Sequence, residues 1–177
     1  MDPIETAKGY DLIAQIWISK GFDQQNGIAQ HQRALAFRPD SGHALDVGCG
    51  ANGRLRALMQ THDYEVEGVD LSERMLSIAR DQQPEITFYY ADITTWEPPK
   101  QYDFISAWDS IWHVPLAEHA DVLHKLFSQL TPDGACIFSM GGLDAAGKRK
   151  MPIWVTAPWA LAKPLTLSIK TNAFADI

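Results

Sequence analysis

The sequence predicts an α/β fold: a doubly wound, mostly parallel sheet preceded by N-terminal helices. Three observations predict it. From residue 43 onward, short apolar runs bounded by turn residues alternate with segments of helical period. The first of these runs ends in the glycine-rich turn Gly48-Cys49-Gly50-Ala51-Asn52-Gly53, which opens a helix. The forty residues before it carry helix-period apolar spacing and no strand-like alternation. A chain of 177 residues suits one domain and can bury a real core.

The elements follow in order. Leu12, Ile13, Ile16 and Trp17 share one face of a first helix, which Gly21 interrupts. Ile28, His31, Gln32 and Leu35 mark a second helix ending before Pro39. The strand-like runs are His43–Val47, Glu65–Val69, Ile86–Tyr90, Tyr102–Trp108 and Ala135–Met140. Between them, Leu55, Leu58 and Met59 give a helix over Arg54–Gln60. Ser72 is the N-cap of a helix carrying Met75, Leu76 and Ala79. Leu116, Ala120, Leu123, Phe127 and Leu130 form an apolar stripe, and Thr131-Pro132-Asp133-Gly134 reads as a turn. Ligands of such sheets bind at the carboxyl ends of the strands, so the chemistry is expected just after residues 47, 69, 90 and 108.

Composition narrows the function classes. Hydrophobic residues make up 46% and charged residues 21%, with a formal net charge of −7. That acidity argues against a partner that is a nucleic-acid backbone. Cys49 and Cys136 have no metal-ligand or disulfide spacing, so no metal is expected and a reducing, cytoplasmic setting fits. His113, His119 and His124 are not spaced to share one face as a metal site. The N-terminus lacks a secretory pattern. The longest apolar run, Ile153 to Ala162, is interrupted and too short to span a bilayer, so no membrane partner is expected.

The turn and its neighbours carry the chemistry. Gly48-x-Gly50-x-x-Gly53 alone also matches a dinucleotide fingerprint, and an NAD-dependent oxidoreductase is the alternative it allows. Asp70 ends the second strand, where a carboxylate accepts hydrogen bonds from ribose hydroxyls. Asp46 discriminates between the nucleosides. A pyrophosphate in the turn would face its carboxylate, a repulsion on the order of 3 kcal/mol at about 5 Å and an effective dielectric near 20. S-adenosylmethionine has no phosphate and carries a sulfonium and an ammonium, which an acidic pocket attracts. Capping of the turn is the other role open to Asp46. Arg54 is read as the nearest basic residue. Asp92 can accept from the adenine amino group, with the following backbone N–H, that of Ile93, meeting a ring nitrogen; its other reading is an N-cap. Leu71 and Met75 would line the adenine faces or serve as plain core. At the fourth strand's end, Trp108 and Trp112 would wall off the reaction from water. His113 or Asp109 would act as a general base, or as a packed histidine and a turn former.

Taken together, LDVGCG, GVDLS, ADIT, YDFISAWDSIWHVP and LTPDGACIFSMGG resemble, in order and spacing, the class I (Rossmann-like) S-adenosylmethionine-dependent methyltransferases of the small-molecule type. The resemblance covers residues 43 to 142. It implies that Gly48 and Gly50 approach the methionine part, that Asp70 holds the ribose, and that Asp92 and Ile93 meet the adenine. Ala107 and Trp108 would flank the sulfonium. The N-terminal helices would form a lid, with Tyr10 in the acceptor pocket beside Trp112. The cofactor is then S-adenosyl-L-methionine and the partner a small-molecule methyl acceptor. Two residues, not one, separate Gly50 from Gly53, so no role is carried onto Gly53.

The expected organisation is a helical lid over residues 1–40, a methyltransferase core over 41–146, and a divergent or truncated tail over 147–177. The tail holds five Lys/Arg and a single Asp, against ten and 21 in the residues before it. It offers one alternating run, Leu165 to Thr171, where the family's antiparallel strand pair would stand. An incomplete ending would leave the fifth strand as an exposed edge and the domain a cofactor-binding remnant without turnover.

Overall fold

The computed structural model describes residues 3–37, 41–141 and 150–156. The expected run over 165–171 lies outside these residues. Helices α1 (Pro3–Trp17) and α2 (Ile28–Leu35) precede a sheet of six strands with three further helices: α3 (Arg54–Gln60), α4 (Glu73–Gln82) and α5 (His119–Ser128). The strands are β1 (Gly42–Val47), β2 (Tyr64–Asp70), β3 (Thr87–Tyr90), β4 (Tyr102–Ala107), β5 (Leu130–Gly141) and β6 (Lys150–Thr156). Their order is β3-β2-β1-β4-β5-β6. The first five run parallel, and β6 pairs antiparallel with β5 from Gly141↔Lys150 to Ala135↔Thr156. The fifth strand is therefore covered. The strand that covers it comes from the basic stretch beginning at residue 147, where sequence reasoning placed none.

The sheet is doubly wound because alternate residues of its central strands feed two cores. Leu45 and Ile105 pack with Val122 and Leu126 of α5. Ala44 and Phe104 pack on the other face with Leu35 of α2 and Leu55 and Met59 of α3. Side chains buried as completely as Phe104 and Ile105 contribute about 1.5–3 kcal/mol each. Strand order reverses between β1 and β4, and the crevice opens at their carboxyl ends.

Three expectations are corrected. Three of the four residues read as the apolar face of the first helix point outward: Leu12 is 88% exposed, and Ile13 and Ile16 are exposed as well. Tyr10, Ala14 and Trp17, spaced by four and three, face inward against Ala51, Met75 and Ile78. Polar contacts of Tyr10 and Asp11, described below, set this rotation, and apolar periodicity does not see them. The stripe expected after residue 116 holds at Leu123, Phe127 and Leu130 but not at its start. Leu116 lies exposed in a short 3-10 turn, Ala120 is exposed, and α5 buries Val122 and Leu126 with Leu123 and Phe127 beside them. Lys125 on this helix donates to the carbonyls of Ile93, Thr94 and Trp96 at 2.9–3.2 Å. Finally, Thr131–Gly134 is a bulge inside β5 and not a free turn. The register steps from Tyr102↔Leu130 to Phe104↔Ala135, and Pro132, which has no N–H for the ladder, falls in the step. Among the described residues no helix is long and apolar enough to cross a membrane.

Candidate functional site

Where β1 ends, the chain turns sharply over the carboxyl end of β2. Gly48 and Gly50 adopt φ of +66° and +55°, in the left-handed region that favours glycine. The amides of Gly48 and Cys49 both donate to the Val69 carbonyl, at 2.8 and 3.1 Å. Gly48 is doubly constrained, because a Cβ there would overlap the Ser110 side chain. At Gly50 nothing lies within 4 Å of the same position, and the turn opens to a cavity.

Asp46 lies beneath this turn and lines the cavity. Its closest cation is Arg56, a correction to the reading that gave Arg54 that place. The Arg56 guanidinium is fully buried. Its Nη1 donates to Asp46 Oδ2 at 3.0 Å and to the Cys49 carbonyl at 2.6 Å, and its Nε to Gln83 Oε1 at 2.9 Å. Burial pushes the Asp46 carboxyl up, against the opposing pull of Arg56 and a hydrogen bond with Ser106. Ser106 Oγ in turn lies 2.9 Å from His31 Nε2, and His31 Nδ1 donates to the Gly27 carbonyl at 2.7 Å. Burial lowers the His31 pKa to about 4. A buried polar chain thus runs from α2 across β4 and β1 to the glycine turn.

Asp70 accepts from the amides of Gly50 and Ser72, one on each oxygen at 2.8 Å, so it joins the turn to the start of α4. Burial raises its pKa against these hydrogen bonds. Ser72 caps α4 by accepting from Met75 N at 3.1 Å. Helix α1 reaches the same point: Asp11 Oδ1 accepts from Ser72 Oγ at 2.5 Å and from Arg74 N at 3.1 Å. At the end of β3, Asp92 Oδ1 accepts from the amide and hydroxyl of Thr94, which fixes the turn that follows. Its Oδ2 has no partner among the described residues.

After β4, Asp109 takes a φ of +56° and is held by Asn26 Nδ2 on Oδ2 at 2.9 Å and by Ser139 Oγ at its amide, 2.7 Å. His113 Nε2 shares a 2.8 Å hydrogen bond with the Tyr10 hydroxyl, and the two rings meet edge to face at 5.2 Å. Burial, with Asp109 and Asp70 nearby, raises the Tyr10 pKa.

One cavity at the strand ends brings most of the sequence-predicted residues together. Asp46, Gly48, Gly50, Asp70, Leu71 and Met75 line it. So do Asp92, Ile93, Trp108, Asp109, His113 and Tyr10. Two do not. Ala107 lies in the core on the α5 side, because residues alternate across the sheet and its neighbour Trp108 takes the other face. Trp112 meets the His113 ring edge-on at 5.6 Å and is not among the residues that line the cavity. Sequence reasoning missed Arg56, Asp11 and His31 as contributors. A charged residue on the inner face of a short helix was the available signal for Arg56; Asp11 left none, since its partners lie 61 and 63 residues away.

A model of the methyltransferase domain family matches residues 44–134. The chain is 30% identical over 142 residues to a trans-aconitate 2-methyltransferase of Variovorax paradoxus, covering 78% of this chain and 54% of the relative. It is 37% identical over 123 residues to the enzyme of that name from Methylobacterium radiotolerans, covering 67% and 46%. The chain thus spans about half the length of the curated relatives it matches. Among solved structures, magnesium protoporphyrin IX methyltransferase from Synechocystis PCC 6803, with bound S-adenosylmethionine, aligns with a TM-score of 0.64 at 22% identity, over 85% of this chain and 79% of that one. The N-methyltransferase NodS from Bradyrhizobium japonicum, in complex with S-adenosylhomocysteine, aligns with a TM-score of 0.63 at 15% identity, over 78% and 73%. At these identities the likeness is one of fold.

Proposed function

We propose, because the chain belongs to the methyltransferase domain family, that it binds S-adenosyl-L-methionine across the carboxyl ends of β1 to β4 and transfers the methyl group to a small-molecule acceptor. One observation carries this reading. A left-handed glycine turn and two carboxylates at successive strand ends, Asp70 and Asp92, face a single cavity. Asp70 accepts from the ribose hydroxyls through the lone pairs that Gly50 and Ser72 leave unused. Asp92 Oδ2 takes the adenine amino group beside Ile93, between Leu71 and Met75. Gly48 and Gly50 let the methionine part pass close to the backbone, below Trp108.

Transfer is an in-line displacement. A lone pair of the acceptor forms a bond to the methyl carbon as the sulfur–carbon bond breaks, and S-adenosylhomocysteine leaves. The protein supplies alignment and exclusion of water. Residues 1–40 serve as the lid, residues 41–146 as the catalytic core, and residues 147–177 as the tail that adds β6. The relatives' names suggest a small carboxylic acid as acceptor. A carboxylate is already a nucleophile at neutral pH and needs no base. Tyr10 and His113 then shape the acceptor pocket, and His113 takes up a proton only with a hydroxyl or amine acceptor. Asp109, held in its turn by Asn26 and Ser139, positions this wall.

The test is transfer of a labelled methyl group from S-adenosylmethionine to a panel of acids, alcohols and amines that includes trans-aconitate. A labelled methyl ester or other methylated product supports the reading. Binding of S-adenosylhomocysteine with no product across the panel would make the chain a binding remnant.

A further inference from the structure

Four carboxylates line the cavity, at Asp46, Asp70, Asp92 and Asp109, and among the described residues the one Lys or Arg on its wall is Arg54. Arg54 is the first residue of α3 and is partly buried. Its Nε donates to the Asn26 carbonyl at 2.8 Å, its Nη1 reaches Asn52 Oδ1 at 3.4 Å, and its guanidinium lies 4.9 Å above the Phe22 ring. Those contacts fix the planar group in place. Among the described residues no carboxylate lies at ion-pair distance from it and Nη2 has no partner. Asp46 is committed to Arg56, and Asp109 to Asn26 and Ser139. Burial lowers the Arg54 pKa in spite of the pull of Asp46 and Asp109. A desolvated cation is costly unless paired, and a clamped guanidinium edge on a ligand cavity is shaped for a planar anion.

We propose that Arg54 is the carboxylate anchor of this cavity, completing its ion pair only when a carboxylate ligand enters. The proposal rests on the methyltransferase reading and adds to it the residue that recognises the anionic group. Two ligands carry that chemistry: the amino-acid end of the cofactor, and an acid acceptor. The acidic residues at β2 and β3 receive the hydrogen-bond donors of the adenosine, so the anion belongs at the opposite end, beside the glycine turn where Arg54 stands.

The experiment is titration calorimetry on the full chain, wild type and Arg54→Gln, with three probes. These are S-adenosylhomocysteine, 5′-methylthioadenosine (which lacks the amino-acid end), and trans-aconitate added to protein saturated with S-adenosylhomocysteine. If the cofactor's carboxylate is the partner, Arg54→Gln weakens S-adenosylhomocysteine about tenfold or more and leaves methylthioadenosine unchanged. If an acid acceptor is the partner, both adenosyl compounds bind as in wild type and trans-aconitate binding falls by about tenfold or more. Arg54→Lys, which keeps the charge, recovers part of either loss. Equal weakening of both adenosyl compounds overturns the proposal, since Arg54 would then only hold Phe22 and Asn26 in place. Unchanged binding of all three probes overturns it as well. Should the Gln variant fail to fold, Arg54→Lys decides: it binds S-adenosylhomocysteine or trans-aconitate more weakly than wild type while methylthioadenosine binds as before, and wild-type affinity for all three probes refutes the anchor. Wild-type protein that binds neither adenosyl compound contradicts the methyltransferase reading itself, and the anchor with it.

Discussion

Arg56 Nη1 sits 3.0 Å from Asp46 Oδ2 and 2.6 Å from the Cys49 carbonyl, so one fully buried guanidinium holds both the end of β1 and the glycine turn above it. The pair changes the electrostatics of the pocket. Asp46 does not face the cavity as an unopposed charge, and the acid left at the glycine end is far weaker than a count of carboxylates implies. Under the proposed function, Asp46 therefore contributes little to the attraction of a cationic cofactor. Removing one partner leaves the other charged and buried. Arg56→Met is expected to cost about 3–5 kcal/mol of unfolding free energy in urea titration. A loss under about 1 kcal/mol would mean that the pair is not formed as described.

The two left-handed glycines separate conformation from contact. Gly50→Ala meets open space and carries only the backbone strain of its φ, about 1–2 kcal/mol. Gly48→Ala carries the same strain and also drives a methyl into Ser110. Gly48→Ala is expected to abolish cofactor binding, and Gly50→Ala to yield a folded protein of lower stability. Equal binding by the two variants would show that Ser110 does not pack on the turn.

Asp11 ties α1 to the N-terminus of α4, next to Asp70. Asp11→Ala removes acceptors for the Ser72 hydroxyl and the Arg74 amide, at a cost of about 1–2 kcal/mol borne by α1. Hydrogen exchange in α1 is expected to quicken while exchange in the central strands stays as it was. Uniform quickening across the sheet would place Asp11 in the global core instead.

His31 makes the fold sensitive to acid. Its pKa is lowered from 6.5 to about 4 in the fold, because burial disfavours the charged ring. The unfolded chain binds the proton first. This contribution is therefore complete above pH 6.5 and is lost as pH falls through about 4, amounting to about 3 kcal/mol. Asp46 and Asp70 act in the opposite sense. Their pKa values are raised, so their contributions are present below about 3.8 and decline as pH rises. The difference between wild type and His31→Gln isolates the histidine. Measured by urea unfolding from pH 7 to pH 4.5, the variant is expected to lose less stability on acidification. Parallel profiles would contradict a neutral, buried His31.

Much of this was legible in the sequence, and the limits have physical causes. Alternation located all five parallel strands, because each buried strand is a short apolar run between turns. The strand-end acids and the glycine turn were legible because ligand chemistry concentrates there in α/β sheets. The faces of α1 and α5 were legible only in part: Trp17, Leu123 and Phe127 do face the core. Leu12 and Ile16 obey the helical period, but Tyr10–His113 and Asp11–Ser72, contacts between residues 103 and 61 positions apart, rotate α1 away from it. Arg56 and His31 escaped because a buried charge or imidazole in a helix carries no periodic signal. Strand β6 escaped because Lys150, Pro152 and Trp154 do not alternate as a half-buried strand does, and its pairing with β5 is a tertiary fact.

In the proposed function the cavity holds an adenosyl sulfur cofactor by its ribose at Asp70. Calorimetry with S-adenosylhomocysteine and with NAD, on wild type and Asp70→Ala, distinguishes this from a dinucleotide site. Wild type is expected to bind S-adenosylhomocysteine in preference to NAD, and Asp70→Ala to weaken that binding by about 1–3 kcal/mol. Binding of NAD without S-adenosylhomocysteine, or an affinity unchanged in Asp70→Ala, would contradict it.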